Sequence, residues 1–373
     1  MFLIHSSLNL YVLPKLTDSS NHKHLVHQSK GDSEKLVKSK KLLALDKMRI
    51  QKMCFAGFPT PLQKMPRLSK VLACPSLFVK RDDMTDLAFG GNKARKLEFL
   101  FADAKNKGAD VVISTGAVQS NCACMVAAAA RRLGMKPILV LVGKEPDVYD
   151  GNLLLDKLLS AKIHFIDRYG PHVEDLMNSL ADEYKAKGHK PYVIPVGAST
   201  PSTVPGYALA MEELVNQFNE LGEKIDYVVC ACGTGGTQAG LILGTKLLDV
   251  PAKILGASVF ASKADASKTV ARLINDSAKL LDINVSIVPE DVLVFDEYIK
   301  EGYGVLNIEV TNALKLVAET EGIFLDPIYT GKAMVMLIDL IKKGYFKKDN
   351  NLVFFHTGGL PALLLYRNKL SKA

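Results

Sequence analysis

The sequence predicts an α/β fold in which parallel strands are covered by helices on both faces. Two observations carry that prediction. Between residues 110 and 260, short and wholly apolar runs alternate with segments of helical pattern, as expected for strands buried on both faces. Several of these runs end in polar, glycine-rich turns that open onto a helix, the place where open α/β sheets hold ligands. The length, 373 residues, is too great for one small core and fits one large domain or two lobes.

Each element follows from its own pattern. Residues 110–115 read as a strand, and the alanine-rich run 124–134 as a helix that stops at Gly134. The apolar run 137–142 is the next strand, 152–160 a helix, 163–167 a strand, 173–188 a helix and 191–195 a strand. A helix over about 207–221, a strand over 226–232, a helix over about 237–248 and a strand over 252–260 follow. The run 351–364 repeats the theme of strand, glycines and helix.

Composition narrows the function. Hydrophobic residues make up 48% and charged residues 23%, ordinary for a globular chain. No apolar run reaches the ~18 residues a membrane-spanning helix needs. The net charge is +8, but residues 1–48 hold eight lysines against four acids and so carry half of the excess. The remainder has no basic stripe with interleaved aromatics, which argues against nucleic acid. Residues 1–48 are polar and aperiodic, so they are expected to be a disordered extension or a targeting segment. The second would make the protein mitochondrial, although the segment lacks the arginines of such peptides and contains acids; the alternative is cytoplasmic. Six cysteines, two pairs of them spaced C-x-C without a neighbouring His-x-His or C-x-x-C, read as buried reduced thiols and not as a metal site.

Three junctions are candidates for a ligand. In 114–125, Gly116 permits a turn, and Ser120 or Asn121 stands where a helix begins; either could be the helix cap, or both could meet an anion such as a carboxylate. In 230–241, Gly233, Gly235 and Gly236 with Thr234 and Thr237 form a chemical cradle for phosphate. The dinucleotide fingerprint fails because Gln238 stands where a third glycine is required, and no Gly-Lys-Ser/Thr follows. The third junction, 351–364, supplies Thr357.

Together, "GGNKARKLEF", "STGAVQSN", "GTGGTQAG", "EGYGV", "LDPIYTGKAM" and "HTGGLPAL" resemble the pyridoxal-phosphate enzymes of the tryptophan-synthase-β-like fold, and within them the aminocyclopropane-carboxylate deaminase and D-cysteine desulfhydrase family. The motifs keep their order over roughly 55–370. The resemblance implies a two-lobed α/β fold, with 49–97 and 207–373 as the large cofactor-binding domain and 98–206 as the small one. It implies pyridoxal 5'-phosphate as cofactor, a small amino acid as substrate and a homodimer. Lys93 would be the Schiff-base lysine, and Arg95 and Lys96 solvated or structural helix charges. Asn121 would meet the phenolic oxygen of the cofactor, and Gly233, Thr234, Gly235, Gly236 and Thr237 its phosphate. Thr330 would lie against the pyridine nitrogen. Ser120, Gln119, Asn121 and Thr357 would face the substrate, and Tyr303 and Tyr329 would be the active-site tyrosines.

Two residues depart from the deaminase pattern, which has Glu at the position of Thr330 and Leu at that of Thr357. A hydroxyl in place of the carboxylate leaves a shallower electron sink, suited to expelling a β-leaving group. The expectation is therefore β-elimination of D-cysteine to pyruvate, hydrogen sulfide and ammonia. Aminocyclopropane-carboxylate deamination and a D-serine or L-cysteine lyase are the alternatives. A nucleotide-binding protein is disfavoured by the failed fingerprint, and a cofactor binder with little turnover by the full set of Lys93, Ser120, Tyr303 and Tyr329.

Overall fold

A computed structural model describes residues 51–74 and 76–372; the expectations for residues 1–48 lie outside them. The strands are β1 (Leu62–Lys64), β2 (Ser76–Lys80), β3 (Val111–Ala117), β4 (Lys136–Val142), β5 (Lys162–Ile166), β6 (Pro191–Ile194), β7 (Tyr227–Cys232), β8 (Lys253–Ser258), β9 (Val294–Phe295) and β10 (Asn351–Phe355). They form two sheets, one of order β1-β2-β10-β7-β8-β9 and one of order β5-β4-β3-β6. Every pairing is parallel except β1 with β2. The second sheet draws only on strands between 111 and 194, and the first on those before and after it. The helices of eight residues or more are α1 (Lys93–Asn106), α2 (Asn121–Arg132), α3 (Gly151–Leu158), α4 (Pro171–Ala186), α5 (Pro205–Glu220), α6 (Gly236–Leu248), α7 (Lys263–Leu280), α8 (Ile308–Glu321) and α9 (Thr330–Lys342).

The wholly apolar strands owe their pattern to burial on both faces. Along β7, Val228, Cys230 and Cys232 enter the core with α5, α6 and α7, while Val229 and Ala231 enter another with α8 and α9. Val353 and Phe355 of β10 alternate with Leu352 and Phe354 between the same two cores. With no solvated face, the period of two is hidden from a polar-apolar reading. The thiols at 122, 124, 230 and 232 are buried.

Sequence and structure differ at the margins. The antiparallel β1 and the parallel β2 have no counterpart in the sequence reading. Strand β2 ends in Lys80, a fully buried charge whose amine donates to Thr60 O and Gln217 Oε1 at 2.6 Å each and pairs with Glu213. The helix expected after Gly358 and Gly359 is a single turn, Leu360–Leu363.

Helices α2 and α3 meet through an unusual acid. Asp156 on α3 is fully buried, and among the described residues neither oxygen has a hydrogen-bond partner. Burial pushes its carboxyl up to about 7, countered only by the Cys124 thiol on α2. The unfolded chain releases this proton near the ordinary 3.8, so between about pH 4 and 7 the folded form binds more protons than the unfolded. Stability contributed at this position falls through that window, by up to about 1.4 kcal/mol per pH unit, and is level above it. Asp156→Asn removes the titration. Its melting temperature relative to wild type is expected to climb from pH 4 to 7 and then plateau; an offset equal at pH 4 and 8 would show that Asp156 is already ionised in the fold.

Candidate active site

The C-terminal ends of β3, β7 and β10 open onto a cavity of about 520 Å³. Lys93 enters it from the first turn of α1. What brings α1 there is a close approach of two glycine backbones. Gly91 (φ 134°) pairs with Gly358 (φ 88°), and a Cβ on Gly358 would lie 2.7 Å from the Gly91 Cα. No residue with a side chain fits this contact. The Asn92 N–H then donates to Thr357 O at 3.1 Å. The Lys93 amine has no hydrogen-bond or ion-pair partner among the described residues, and burial holds it below the usual lysine range against the opposing influence of Cys122. A poorly solvated amine at a helix N-terminus is disfavoured as an ammonium ion, so it is suited to act as nucleophile and base.

The β7–α6 turn provides the second wall. Gly233, Thr234, Gly235, Gly236 and Thr237 all line the cavity, and Gly235 adopts φ 80°. A Cβ on Gly236 would come within 2.7 Å of Ser199 Oγ and 2.8 Å of Lys96 Nζ. Lys96 was expected on a wet or merely structural helix face. It is instead 1% exposed and lines the cavity, donating to Ser199 Oγ at 2.9 Å, while Ser199 Oγ and Thr234 Oγ1 lie 2.7 Å apart. All its partners are neutral, and burial together with the charge of Lys93 pushes its amine well down. Sequence reasoning missed Lys96 and Ser199. The available signal was spacing, because Lys96 follows Lys93 by three residues and shares its helix face. Arg95 points the other way and is buried in an ion-pair cluster.

At the start of α2, Ser120 is the cap: its Oγ accepts from Ala123 N at 3.1 Å and also lines the cavity. Asn121 lines it too, with Oδ1 accepting from Asn152 Nδ2 at 2.7 Å. Gln119 does not line the cavity. Its side chain is held at the start of α3, accepting from Asn152 N at 2.9 Å and donating to Asp150 O at 3.0 Å.

Tyr303 and Tyr329 meet hydroxyl to hydroxyl at 2.7 Å over the cavity, and burial raises both phenols above their usual range. Tyr169 from the β5–α4 connection joins them at the wall, again unnoticed in the sequence. Thr357 lines the cavity, but Thr330 does not. Thr330 is fully buried, and its hydroxyl donates to Asp326 Oδ1 at 2.7 Å. Asp326 in turn accepts from the backbone N–H of Ile328, Tyr329 and Thr330 at 2.8–2.9 Å. This cap at the start of α9 turns Thr330 back along its own chain, away from the cavity.

Comparison with known proteins adds to this geometry. Residues 54–358 match the family described as pyridoxal-phosphate dependent enzyme. A Pyrococcus abyssi protein provisionally named 1-aminocyclopropane-1-carboxylate deaminase is 40% identical over 86% of this chain and 96% of its own. A crystal structure of an aminocyclopropane-carboxylate deaminase homologue matches with a TM-score of 0.82 and 37% identity, over 89% of this chain and 98% of the other. Threonine deaminase isoform 2 from Solanum lycopersicum shares the fold, with a TM-score of 0.60 and 16% identity over 93% and 95% of the two chains.

The residues present fit pyridoxal phosphate. Lys93 offers an unpaired amine for covalent attachment. Lys96 Nζ and Ser199 Oγ stand so close to the glycine turn that a Cβ on Gly236 would collide with them, which places an amine and a hydroxyl at the turn, and a phosphate there would supply the negative partner that Lys96 lacks. Lys93→Ala is expected to abolish the visible absorbance of covalently held cofactor. Lys96→Ala should weaken pyridoxal phosphate binding about 10- to 100-fold, the range for one charge-assisted hydrogen bond, and leave affinity for phosphate-free pyridoxal unchanged. Equal losses for both ligands in a spectroscopic titration would refute the phosphate role.

Proposed function

The chain belongs to the pyridoxal-phosphate-dependent enzymes, in the family of aminocyclopropane-carboxylate deaminases and D-cysteine desulfhydrases, and from that premise we propose that it cleaves D-cysteine by β-elimination, taking up one water to give pyruvate, hydrogen sulfide and ammonia. The observation that carries this reading is that, among the described residues, no carboxylate lines the cavity. Asp326 is occupied by three backbone N–H groups and Thr330.

Pyridoxal phosphate, when bound, supplies the electron sink for bond breaking at Cα and Cβ. Walls without a carboxylate to hold the ring nitrogen protonated favour expulsion of a leaving group from Cβ over opening of a cyclopropane ring, which draws harder on that sink. Lys93 Nζ, kept below its usual range by burial, takes up the Cα proton. The Ser120 hydroxyl and the N-terminal amides of α2 hold the substrate carboxylate. The Tyr303 and Tyr329 hydroxyls, which stay protonated, stand ready to hand a proton to the departing sulfur. The hydroxyl of Thr357, in a position where the deaminases resemble one another in carrying leucine, supports the same choice.

The names of the relatives favour deamination of aminocyclopropane carboxylate as the second reading. Parallel assays of D-cysteine, L-cysteine and aminocyclopropane carboxylate separate the two. We expect sulfide and pyruvate in equal amounts from D-cysteine. Sulfide from the L-enantiomer alone, or 2-oxobutanoate as the main product, overturns the reading.

A further inference from the structure

We propose that Asn152 is a positioning residue that decides which end of the Asn121 amide faces the cavity. Asn152 sits in the first turn of α3, is 2% exposed, and does not itself line the cavity. Its side-chain amide reaches Gln119 O at 3.0 Å and Asn121 Oδ1 at 2.7 Å. A backbone carbonyl can only accept, so the Asn152 atom facing Gln119 O must be the NH₂ group. That nitrogen has two hydrogens, and the second meets Asn121. The Asn121 atom receiving it must therefore be oxygen, which leaves the Asn121 NH₂ as the end free to address the cavity.

The same logic locks the neighbouring amide. Asp150 O requires the nitrogen of Gln119, and the Asn152 N–H requires its oxygen. Backbone groups thus fix the direction of the Gln119 and Asn152 amides, and Asn152 in turn fixes that of Asn121. Gly151 (φ 56°) allows the approach, since a Cβ there would lie 2.7 Å from Gln119 Oε1. The result is a hydrogen-bond donor, fixed before any ligand arrives, in the cavity that Lys93 and Ser120 also line. Under the reading that Asn121 meets the phenolic oxygen of the cofactor, on which this inference rests, a donor there favours the ionised oxygen and an acceptor would repel it.

The test uses the full-length holoenzyme and two readouts, the dissociation constant for pyridoxal phosphate and the pH at which its visible band titrates. Asn152→Asp removes the donors and makes an acceptor face Asn121, so Asn121 gains by turning its NH₂ away from the cavity. We expect affinity to fall about 10-fold or more, the scale of a buried polar group set against its like, and the band to titrate at higher pH. Asn152→Leu only releases the Asn121 amide and should cost about 3-fold or less. A variant that merely loosens packing gives the opposite order, because leucine departs further from asparagine in shape and polarity. In an Asn121→Ala background, Asn152→Asp should change either readout less than twofold. Asn121→Asp is the control should Asn152→Asp not fold, since it keeps an acceptor toward Asn152 and presents an acceptor to the cavity; a wild-type band in that variant overturns the proposal. Equal effects of Asn152→Asp with and without Asn121 overturn it as well. If Asn121→Ala alone leaves affinity and band unchanged, the contact between Asn121 and the cofactor fails, and this inference fails with it.

Discussion

The site depends on a buried ion-pair cluster that does no chemistry. The Arg95 guanidinium grips both oxygens of Asp82 at 2.8 Å and both of Glu213 at 3.0 and 3.1 Å. Tyr207 donates to Asp82 at 2.6 Å, Thr60 donates to the same carboxylate at 2.9 Å, and Lys80 pairs with Glu213. Burial would raise Asp82, but Arg95, with Tyr207 and Lys80, together outweigh it and hold that carboxyl below its usual range. Arg95 is thereby pinned between β2, the turn after it and α5. Removing one member of such a cluster leaves the others charged and dry, a cost of about 3–5 kcal/mol. The cluster is therefore better understood as fixing geometry than as adding stability. It sets the rotation of α1 about its own axis, and that rotation delivers Lys93 and Lys96 to the cavity.

One helix thus divides three cations among three tasks. Lys93 and Lys96, three residues apart, face the cavity; Arg95 faces the cluster; Ala94, Leu97 and Phe101 face the core. In sequence, "KARK" shows only three like charges around an alanine. The acids that claim Arg95 lie 13 residues before it and 118 after it, and Ser199, which receives Lys96, lies 103 residues on. No local rule connects them, which is why Arg95 and Lys96 read alike, as solvated or structural helix charges. The alternation of strands and helices and the glycine turns were legible because each is written within a few neighbouring residues. β2 was not, since its burial becomes apparent only when the partners of Lys80 are assembled.

Thr330 and Gln119 illustrate a second limit on reading a site from motifs. Both sit beside residues that do reach the cavity, Tyr329 and Ser120, and adjacency suggests a shared role. Each is instead captured by the start of a helix. Asp326 caps α9 and takes the Thr330 hydroxyl; the first residues of α3 take both ends of the Gln119 amide. Short polar side chains near helix starts have backbone partners within reach, and these compete with any ligand for them. Ser120 serves both, because a hydroxyl that accepts from Ala123 N still has its own hydrogen to donate.

Among the described residues the cavity is lined by amines, hydroxyls, amides, a thiol, apolar side chains and backbone, and by no carboxylate. This arrangement has a consequence for Lys93. A carboxylate beside it would hold it as an ammonium ion, and an ammonium ion is neither nucleophile nor base. Asp82 and Glu213 are consumed by Arg95 on another face of α1, and Asp326 by the backbone of α9. The negative charge that balances Lys96 must then come from what binds. A phosphate at the glycine turn would supply that charge to Lys96, whose amine donates to Ser199 Oγ there. Drawing Asp82 and Glu213 into the cluster and Asp326 to the start of α9 leaves Lys93 without a carboxylate partner among the described residues and Lys96 with neutral ones.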